Sequence, residues 1–208
     1  MNFTSALLDL DQAPERIAAL EALLDDADRE RATVFHFEDQ RRRFIVRRGL
    51  MRIELARVAG LEPDRLRFTE GEQGKPGLLN APELRFNLSH DEDLALLVMS
   101  REAEIGCDIE RIDPARARRD IAQRFFSPQE FATLAALPEA QWAEAFFNCW
   151  TRKEAYIKAL GIGLSYPLDS FTVSLVPGDT PRLISGDTDC SIAAIDAGKD
   201  YCAAVVTL

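Results

Sequence analysis

The fold of this chain is decided by two short stretches, Ile105-Gly-Cys-Asp-Ile-Glu-Arg111 and Trp150-Thr-Arg-Lys-Glu-Ala-Tyr-Ile-Lys158. The first stretch has the alternation of a β-strand, in which successive side chains point to opposite faces. Asp108 and Glu110 therefore lie on one face of the predicted strand, and the residues between and before them face the other way. The first stretch thus offers a pair of carboxylates on one side of a sheet.

The second stretch has the pattern of a helix, in which residues four apart are neighbours. Glu154 and Lys158 therefore share one helix face. If this face meets that of Asp108 and Glu110, three carboxylates and one ammonium converge. Oxygen ligands of this kind suit a hard divalent cation such as Mg²⁺, which commonly takes its other ligands from substrate phosphates.

Each motif alone has a simpler explanation. Asp108 and Glu110 could be solvated strand residues, and Glu154 with Lys158 could be an exposed helix pair that contributes about 0.3–0.5 kcal/mol. Both strings are common in proteins. Their joint presence, together with the other motifs below, favours a cation and polyphosphate site.

Composition excludes some classes of protein. The chain has 208 residues, of which 47% are hydrophobic, as expected for a globular protein with a real core. A net charge of −10 and a pI near 4.8 argue against nucleic-acid binding. No apolar run reaches about 18 residues, so no membrane span is expected. The N-terminal residues lack a basic flank and a long apolar run, so no signal peptide is expected.

The cysteines point to a reducing compartment. The four residues Cys107, Cys149, Cys190 and Cys202 form no Cys-x-x-Cys pair. Reduced thiols in a cytoplasmic protein are favoured over disulfides or a zinc site.

Periodicity divides the chain into helices and then strands, twice, at about 100 residues each. We therefore expect two similar α+β halves, residues 1–103 and 104–208, facing each other. The first predicted helix begins at Pro14. The other predicted helices cover 29–35, 38–59, about 114–125, 128–137 and 139–160. The predicted strands cover 3–9, 66–68, 84–88, 94–99, 104–109, 171–176, 191–195 and 201–206, and the Gly and Pro residues of 71–82 mark turns.

Further candidate binding residues lie in the first half. Ser89 and His90 end a predicted strand and could bind a phosphate, and adjacent strand residues point to opposite faces, which argues against a hydrolase dyad. Gly74-Lys75-Pro76 is a turn whose backbone and lysine could approach an anion. Arg48 and Arg52 share a helix face that could hold an anion. The alternatives are a loop histidine without a role, an ordinary turn and a solvated helix face.

Taken in order, these motifs resemble those of the 4′-phosphopantetheinyl transferases over nearly the whole chain. The length of the chain and the pairing of its halves resemble the longer, surfactin-synthetase-activating type and not the short trimeric holo-acyl-carrier-protein synthases. The motifs are Arg43-Phe44…Arg48-x-x-x-Arg52, Gly74-Lys75-Pro76, Phe86-Asn-Leu-Ser-His90, Ile105-Gly-Cys-Asp-Ile-Glu110 and Trp150-x-x-Lys-Glu-Ala-x-x-Lys158. Cys107 stands where the family usually has an aliphatic residue, on the face away from the chemistry.

The resemblance implies a fold and a reaction. The fold is α+β, with two similar halves in a pseudo-twofold arrangement, each a small, mostly antiparallel sheet packed with helices. The active site is expected in the cleft between the halves. The reaction moves the 4′-phosphopantetheine of coenzyme A to a serine of an apo acyl, peptidyl or aryl carrier protein, and 3′,5′-ADP leaves. Mg²⁺ is the expected ion, with Mn²⁺ as an alternative.

The resemblance also implies roles for single residues. Asp108, Glu110 and Glu154 would hold the cation, Glu154 would accept the serine proton directly or through a water, and Lys158 would contact the phosphates. Coenzyme A would be bound by a larger set, in which Arg48 and His90 meet the 3′-phosphate and the role of Lys153 is the least defined. The set comprises Arg48, Gly74, Lys75, Pro76, Ser89, His90, Lys153 and Lys158.

Two other functions fit the same residues. One is a silent module that binds coenzyme A or a carrier protein without turnover, although intact metal ligands argue against it. The other is a metal-dependent phosphohydrolase acting on coenzyme A without any carrier. The carrier and its pathway, whether fatty acid, polyketide, siderophore or other nonribosomal peptide, stay open. Residues 111–127 and those after Gly161 are candidate carrier-facing surface, and a monomer is expected.

Overall fold

The computed structural model describes residues 2–71, 74–163 and 166–208, and within them it contains six α-helices and ten strands. The helices are α1 Pro14–Glu21, α2 Asp26–Thr33, α3 Glu38–Ala59, α4 Arg119–Phe125, α5 Pro128–Ala135 and α6 Glu139–Leu160. The strands are β1 Thr4–Asp9, β2 Phe68–Glu70, β3 Pro76–Leu78, β4 Arg85–Asp91, β5 Leu94–Ser100, β6 Ile105–Arg111, β7 Thr172–Val173, β8 Leu183–Ser185, β9 Ser191–Ala194 and β10 Tyr201–Thr207.

The two halves repeat one topology. Each has an antiparallel three-stranded sheet, ordered β1-β5-β4 in the first half and β6-β10-β9 in the second. In both sheets the first strand of the half pairs with the last, and the last pairs with the one before it. A two-stranded hairpin, β2-β3 or β7-β8, accompanies each sheet. The predicted α+β fold with two similar halves is confirmed.

The four layers run helix, sheet, sheet, helix. Helix α3 packs against one face of the first sheet through residues such as Met51 and Leu55, and α6 packs against the second sheet around Ala204 and Val206. The inner faces of the two sheets meet in a separate apolar cluster. The members of that cluster with no more than 6% exposure are Leu96, Val98, Ile105, Cys107, Ile109, Ala203 and Val205.

The two long helices have the bounds that the sequence predicts, 38–59 and 139–160. Each ends at a glycine, Gly60 with φ 72° and Gly161 with φ 71°. This left-handed conformation suits glycine because it has no Cβ, and it lets the amide of the capping residue bond back to the last turn. The ends of α3 and α6 are therefore fixed by local sequence.

Strand β6 lies at the centre of the molecule, between the halves. The Cys107 amide donates to Asn87 Oδ1 of β4 at 2.8 Å, so β6 is held to the first sheet as well as to its own. Its alternate residues, Gly106, Asp108 and Glu110, face the other way. A Cβ on Gly106 would lie 2.2 Å from both Ala155 O and Ala159 N, so only glycine lets β6 approach α6 this closely.

Several predicted bounds were wrong. Helix α4 begins at Arg119 and not near 114, because Asp113 accepts the amides of Ala115, Arg116 and Ala117 and forms a turn there. Helix α2 begins at Asp26, with Asp25 as its cap.

Short strands account for the other errors. Pro76–Leu78, predicted as turn, pairs with Phe68–Glu70 as β3, and the predicted strand 171–176 is only Thr172–Val173, paired with an unpredicted β8. Two- and three-residue strands carry too little periodic signal to be read from sequence.

In the described ranges, no helix is long and apolar enough to cross a bilayer. All four cysteines are free, and three of them are buried. Burial raises the pKa of the Cys107 thiol to about 12, so it stays protonated.

Candidate active site

One polar cluster joins the two halves at the face of β6 that packs against α6. Lys158 Nζ of α6 lies 2.6 Å from Asp108 Oδ1 and donates to Ser89 Oγ of β4 at 3.1 Å. The Ser89 hydroxyl donates to the same Asp108 oxygen at 2.7 Å. Ser89 thus comes from the first half, and Asp108 and Lys158 come from the second. The sequence prediction that the strand face and the helix face meet agrees with this geometry.

Burial and pairing set the charges of this cluster. Burial raises the pKa of Asp108, and the Lys158 ammonium and the Ser89 hydroxyl oppose that rise. For Lys158 burial acts the other way, but the Asp108 carboxylate outweighs it and raises the lysine pKa. Because the contact is 2.6 Å long and Lys158 remains 28% exposed, the ion pair is the form we assign at neutral pH.

The other two predicted cation ligands flank this pair. Glu154 lies one turn before Lys158 on α6, and burial raises its pKa, with the Lys158 charge opposing and the Asp108 charge adding to the rise. On β6, burial together with the charges of Asp108 and Asp91 raises the pKa of Glu110 to about 7, although Arg116 opposes it. Arg116 bridges Asp91 Oδ2 at 2.7 Å and Glu110 Oε2 at 2.6 Å.

The donor set fits a hard divalent cation in chemistry. Asp108 Oδ2 is buried and has no hydrogen-bond partner among residues 2–71, 74–163 and 166–208, which leaves one carboxylate oxygen for another ligand. Burial is the main cause of the raised pKa of Glu110 and Glu154, and the repulsion from the Asp108 charge that adds to it is the kind that a bound cation relieves. Among the described residues, however, no three His, Cys, Asp or Glu side chains are already grouped as metal ligands, and Glu110 is paired with Arg116.

A basic cavity of about 250 Å³ opens next to Ser89. Four of the predicted binding residues line it, and two more arginines join them. The predicted four are Arg48, Pro76, Ser89 and His90, and the additional two are Arg31 and Arg47. Burial, with the charges of Arg48 and Arg31, lowers the pKa of Arg47 to about 10. Cations crowded in this way are stabilised by an anion, so the cavity is suited to a phosphate.

The two motif arginines of α3 have different positions. Arg48 lines the cavity, and its guanidinium lies over the Phe68 ring. Its Nε is 2.8 Å from Asp28 Oδ1, which makes an ion pair but not a hydrogen bond. Arg52 is fully buried and binds Asp25 and Asp28. The hypothesis that Arg52 shares an anion-binding face is therefore wrong, because its charge is already paired within the core.

The Gly74-Lys75-Pro76 turn joins the halves from the other side. Lys75 Nζ donates to Glu104 Oε2 at 2.9 Å and to Ala159 O near the end of α6 at 3.1 Å. Gly74 has φ 77°, which allows the turn, and Pro76 starts β3. Of these three, only Pro76 reaches the basic cavity.

Lys153 does not face the cleft. Its ammonium is fully buried and contacts Glu130 Oε2 at 2.8 Å, Leu168 O at 2.6 Å and Phe171 O at 2.6 Å. Helical geometry explains this, because adjacent residues on a helix point about 100° apart and Glu154 occupies the face toward the cleft. Its predicted place among the coenzyme A ligands does not agree with this position.

Two mainly apolar cavities flank the carboxylates. One, of about 500 Å³, lies beside Glu154 and is also lined by Phe125, Trp150 and residues 166–169. The other, of about 370 Å³, lies beside Glu110 and is also lined by Arg116, Phe146 and Trp150. Sequence reasoning found Trp150 as part of a motif but gave it no role, since only the fold shows that it separates two cavities.

Comparison with known proteins places this arrangement in a family. Residues 104–206 match the model of the 4′-phosphopantetheinyl transferase superfamily, and residues 12–102 match the model of the 4′-phosphopantetheinyl transferase N-terminal region. The chain is 37% identical to the 4′-phosphopantetheinyl transferase HetI of a Nostoc species, over 85% of this chain and 75% of the relative.

Two Bacillus proteins are similar to the chain over comparable lengths. Identity to a 4′-phosphopantetheinyl transferase of Bacillus subtilis is 36%, over 85% of this chain and 79% of the relative. Identity to the 4′-phosphopantetheinyl transferase psf-1 of Bacillus pumilus is 33%, over 96% of this chain and 85% of the relative. A solved holo-(acyl-carrier-protein) synthase from Bacillus anthracis matches half of the chain with a TM-score of 0.44 and 23% identity. The chain belongs to the 4′-phosphopantetheinyl transferases, of the surfactin-synthetase-activating type.

Proposed function

We propose that this enzyme transfers the 4′-phosphopantetheine of coenzyme A to a serine of an apo carrier protein and releases 3′,5′-ADP. The observation that carries the proposal is the cluster of Ser89, Asp108 and Lys158, which spans both halves and has the arginine cavity beside it. A pyrophosphate with an additional 3′-phosphate needs positive charge at two places in one cleft. Lys158 supplies one and the arginines supply the other.

The basic cavity would bind the 3′-phosphate of the donor. Arg48 and His90 would contact it, and the charge of Arg47 would add to the attraction. Ser89 and Pro76 would line the nucleotide site with them. Gly74 and Lys75 would act from the adjoining turn, Lys75 by holding the ends of β6 and α6 in place through Glu104 and Ala159.

Asp108, Glu110 and Glu154 would hold Mg²⁺, or Mn²⁺ in its place. When bound, the ion neutralises pyrophosphate charge and so eases the departure of 3′,5′-ADP. The unpartnered Asp108 Oδ2 supports this ligand set. Asp108 sits on a strand and Glu154 on a helix, both packed tightly at Gly106, which keeps the carboxylates in a fixed geometry.

Glu154 and Lys158 would act on the reacting atoms. Glu154, directly or through a water, would accept the proton of the carrier serine while the serine oxygen attacks the β-phosphorus. Lys158 would stay positively charged through the reaction and stabilise the negative charge on the phosphates. Its bonds to Asp108 and Ser89 orient the ammonium in advance, which avoids reorganisation during the reaction.

The acceptor would approach over residues 111–127. Arg116, Arg118 and Arg119 project from this segment, and the apolar cavity of about 370 Å³ lies beside it. An acidic, apolar-faced helix of a carrier would match both features. Arg116 already bridges Asp91 and Glu110, so this surface is continuous with the proposed cation ligands.

Four further assignments belong to this proposal. The halves would divide at 103/104, and because one chain supplies both sides of the cleft, the enzyme would act as a monomer. It would not bind nucleic acid or membrane, in keeping with its acidic charge of −10. The free cysteines support a cytoplasmic location, since thiols stay reduced there.

The test uses purified enzyme, coenzyme A, Mg²⁺ and a panel of apo carrier proteins. The intact mass of at least one carrier should rise by one phosphopantetheine, and Asp108→Asn should abolish the rise. Release of 3′,5′-ADP without any carrier would indicate a phosphohydrolase, and coenzyme A binding without product on the whole panel would indicate a silent module. Either result contradicts the proposal.

A further inference from the structure

A fully buried ion pair lies directly behind the cleft. Lys153 Nζ is 2.8 Å from Glu130 Oε2, and neither side chain is more than 1% exposed. A buried pair of this kind is often no more stabilising than well-packed apolar residues. Stability alone therefore does not explain why charges stand at these two positions, one of which directly precedes Glu154.

Lys153 holds a loop against helix α6. Its ammonium donates to Leu168 O and Phe171 O, each at 2.6 Å, and lies 4.1 Å from the centroid of the Phe171 ring. The ammonium thus donates to two backbone carbonyls and forms an ion pair with the Glu130 carboxylate. The loop at 168–171 is fixed at a set distance from the helix that carries Glu154.

Glu130 ties the same loop to helix α5. Its Oε1 accepts from the Val173 amide at 2.7 Å, and its Oε2 accepts from the Ser127 amide at 2.7 Å in the capping box of α5. The Thr172 hydroxyl donates to Ser127 Oγ at 2.9 Å. The start of α5, the middle of α6 and residues 168–173 therefore form one hydrogen-bonded unit.

This unit forms the back of the 500 Å³ cavity beside Glu154. Trp150 and Glu154 line the cavity from α6, and residues 166–169 line another part of it, called the 166–169 wall here. We propose that Lys153 and Glu130 are positioning residues for the transfer reaction, which set the orientation of Glu154 and its distance from the 166–169 wall. The inference rests on the proposed function, because it concerns the same site.

The first test separates turnover from donor binding. The variant Lys153→Met/Glu130→Gln removes both charges, keeps the volumes and keeps a carbonyl acceptor for the Val173 amide. We expect kcat to fall about 10- to 100-fold, as is typical for partners that orient reactive groups, with KM for coenzyme A within about 2-fold of wild type. If the double variant does not fold, Glu130→Gln alone is measured and judged by the same criterion.

A second readout does not depend on activity. In a Trp142→Phe background Trp150 is the only tryptophan, so its fluorescence reports on the cavity wall. Trp142→Phe is present both in the reference enzyme and in the enzyme with the double substitution. Trp142 donates to Ala117 O outside the cavity, so the effect of replacing it is the same in both. Acrylamide quenching of Trp150 should rise when the double substitution is added, because the 166–169 wall loses its anchor.

Arg152→Met is the matched control. Arg152 precedes Lys153 on α6, is also buried, and donates to Ser174 O at 2.6 Å, away from the cavity wall. We expect this variant to lower the melting temperature without changing kcat or Trp150 quenching.

The outcomes distinguish the two proposals. A folded Lys153→Met/Glu130→Gln enzyme with wild-type kcat and quenching would overturn the positioning role. A drop in kcat of the same size in Arg152→Met would overturn it too, because removing any buried cation of α6 would then lower kcat equally. If the wild-type enzyme transfers nothing, the proposed function fails, and Trp150 quenching still decides whether the pair fixes the wall.

Discussion

At the scale of single residues, the chemistry depends on charges that are paired across the cleft. Asp108 uses one oxygen for Lys158 and Ser89, and its other oxygen has no hydrogen-bond partner in the part of the chain that the structure describes. The element faces on which Asp108 and Lys158 lie were predictable from sequence, because the strand and helix periods define them. The burial of Lys153 was not predictable, since a motif specifies a residue type and spacing but not which helix face the core covers.

Replacing Lys158 with methionine should reduce transfer strongly. Methionine keeps the stem of the side chain and removes the charge that would stabilise the phosphates, so we expect kcat to fall about 100-fold or more. Steady-state transfer to an apo carrier measures it. The control is Glu54→Gln, which removes a charge from a salt bridge with Arg57 in α3. A Lys158→Met enzyme with wild-type kcat would show that the ammonium is not at the reacting phosphates.

The arginine cavity predicts a specific loss of donor recognition. Arg48→Ala or His90→Ala should raise KM for coenzyme A about 10- to 100-fold, the equivalent of one charge-assisted hydrogen bond. The same variants should leave KM for 3′-dephospho-coenzyme A unchanged, because that donor lacks the phosphate. An equal loss for both donors would place the 3′-phosphate elsewhere.

At the scale of elements, packing of β6 on α6 builds the site, and glycine makes this packing possible. The C-terminal ends of the two long helices were predictable because glycine follows each of them. The start of α4 was not, because Asp113 competes for the amides that a helix would use. The β2-β3 hairpin was missed for a related reason, since its residues Gly74 and Pro76 are typical of turns.

Gly106→Ala tests the contact of β6 with α6. A methyl group 2.2 Å from two backbone atoms of α6 forces the elements apart, and we expect a loss of about 1–3 kcal/mol or more in unfolding free energy. Gly178→Ala is the control, since its φ is 84° but no atom of the described residues lies within 4 Å of the added methyl. Urea denaturation of both variants should show the larger loss at Gly106.

The cap of α2 predicts a pH dependence of stability. Burial raises the pKa of Asp25, but the Asp28 amide and the Arg52 charge outweigh it, and the net pKa is lowered. A lowered folded-state pKa stabilises the fold above the unfolded pKa of about 4, and this contribution is lost as pH falls below it.

Two variants at Asp25 separate the cap from the charge. Asp25→Ala should cost about 0.5–2 kcal/mol at pH 7 because the cap is lost. Asp25→Asn keeps an oxygen for the Asp28 amide but removes the charge. The difference in unfolding free energy between this variant and the wild type should therefore shrink as pH is lowered through about 4. Denaturant titrations from pH 7 to pH 3 measure both, and a difference for Asp25→Asn that stays constant with pH would contradict the assignment.

At the scale of the whole molecule, the repeated topology gives the site its two sides. The first half contributes Ser89 and the arginines, and the second contributes Asp108, Glu154 and Lys158. The order of helices and strands predicted the repeat, although the halves share no evident sequence identity. The way in which the inner sheet faces pack could not be predicted, because alternation shows which residues are buried but not their partners.

The central claim is that carboxylates of β6 and α6 jointly hold a divalent cation beside the donor. Electron paramagnetic resonance of Mn²⁺ tests it most directly, with free ion measured while enzyme is added in the presence of coenzyme A. Wild-type enzyme should remove about one equivalent of free Mn²⁺, and Asp108→Asn and Glu154→Gln should each weaken this binding at least about 10-fold. Equal Mn²⁺ binding by the wild type and both variants would contradict it.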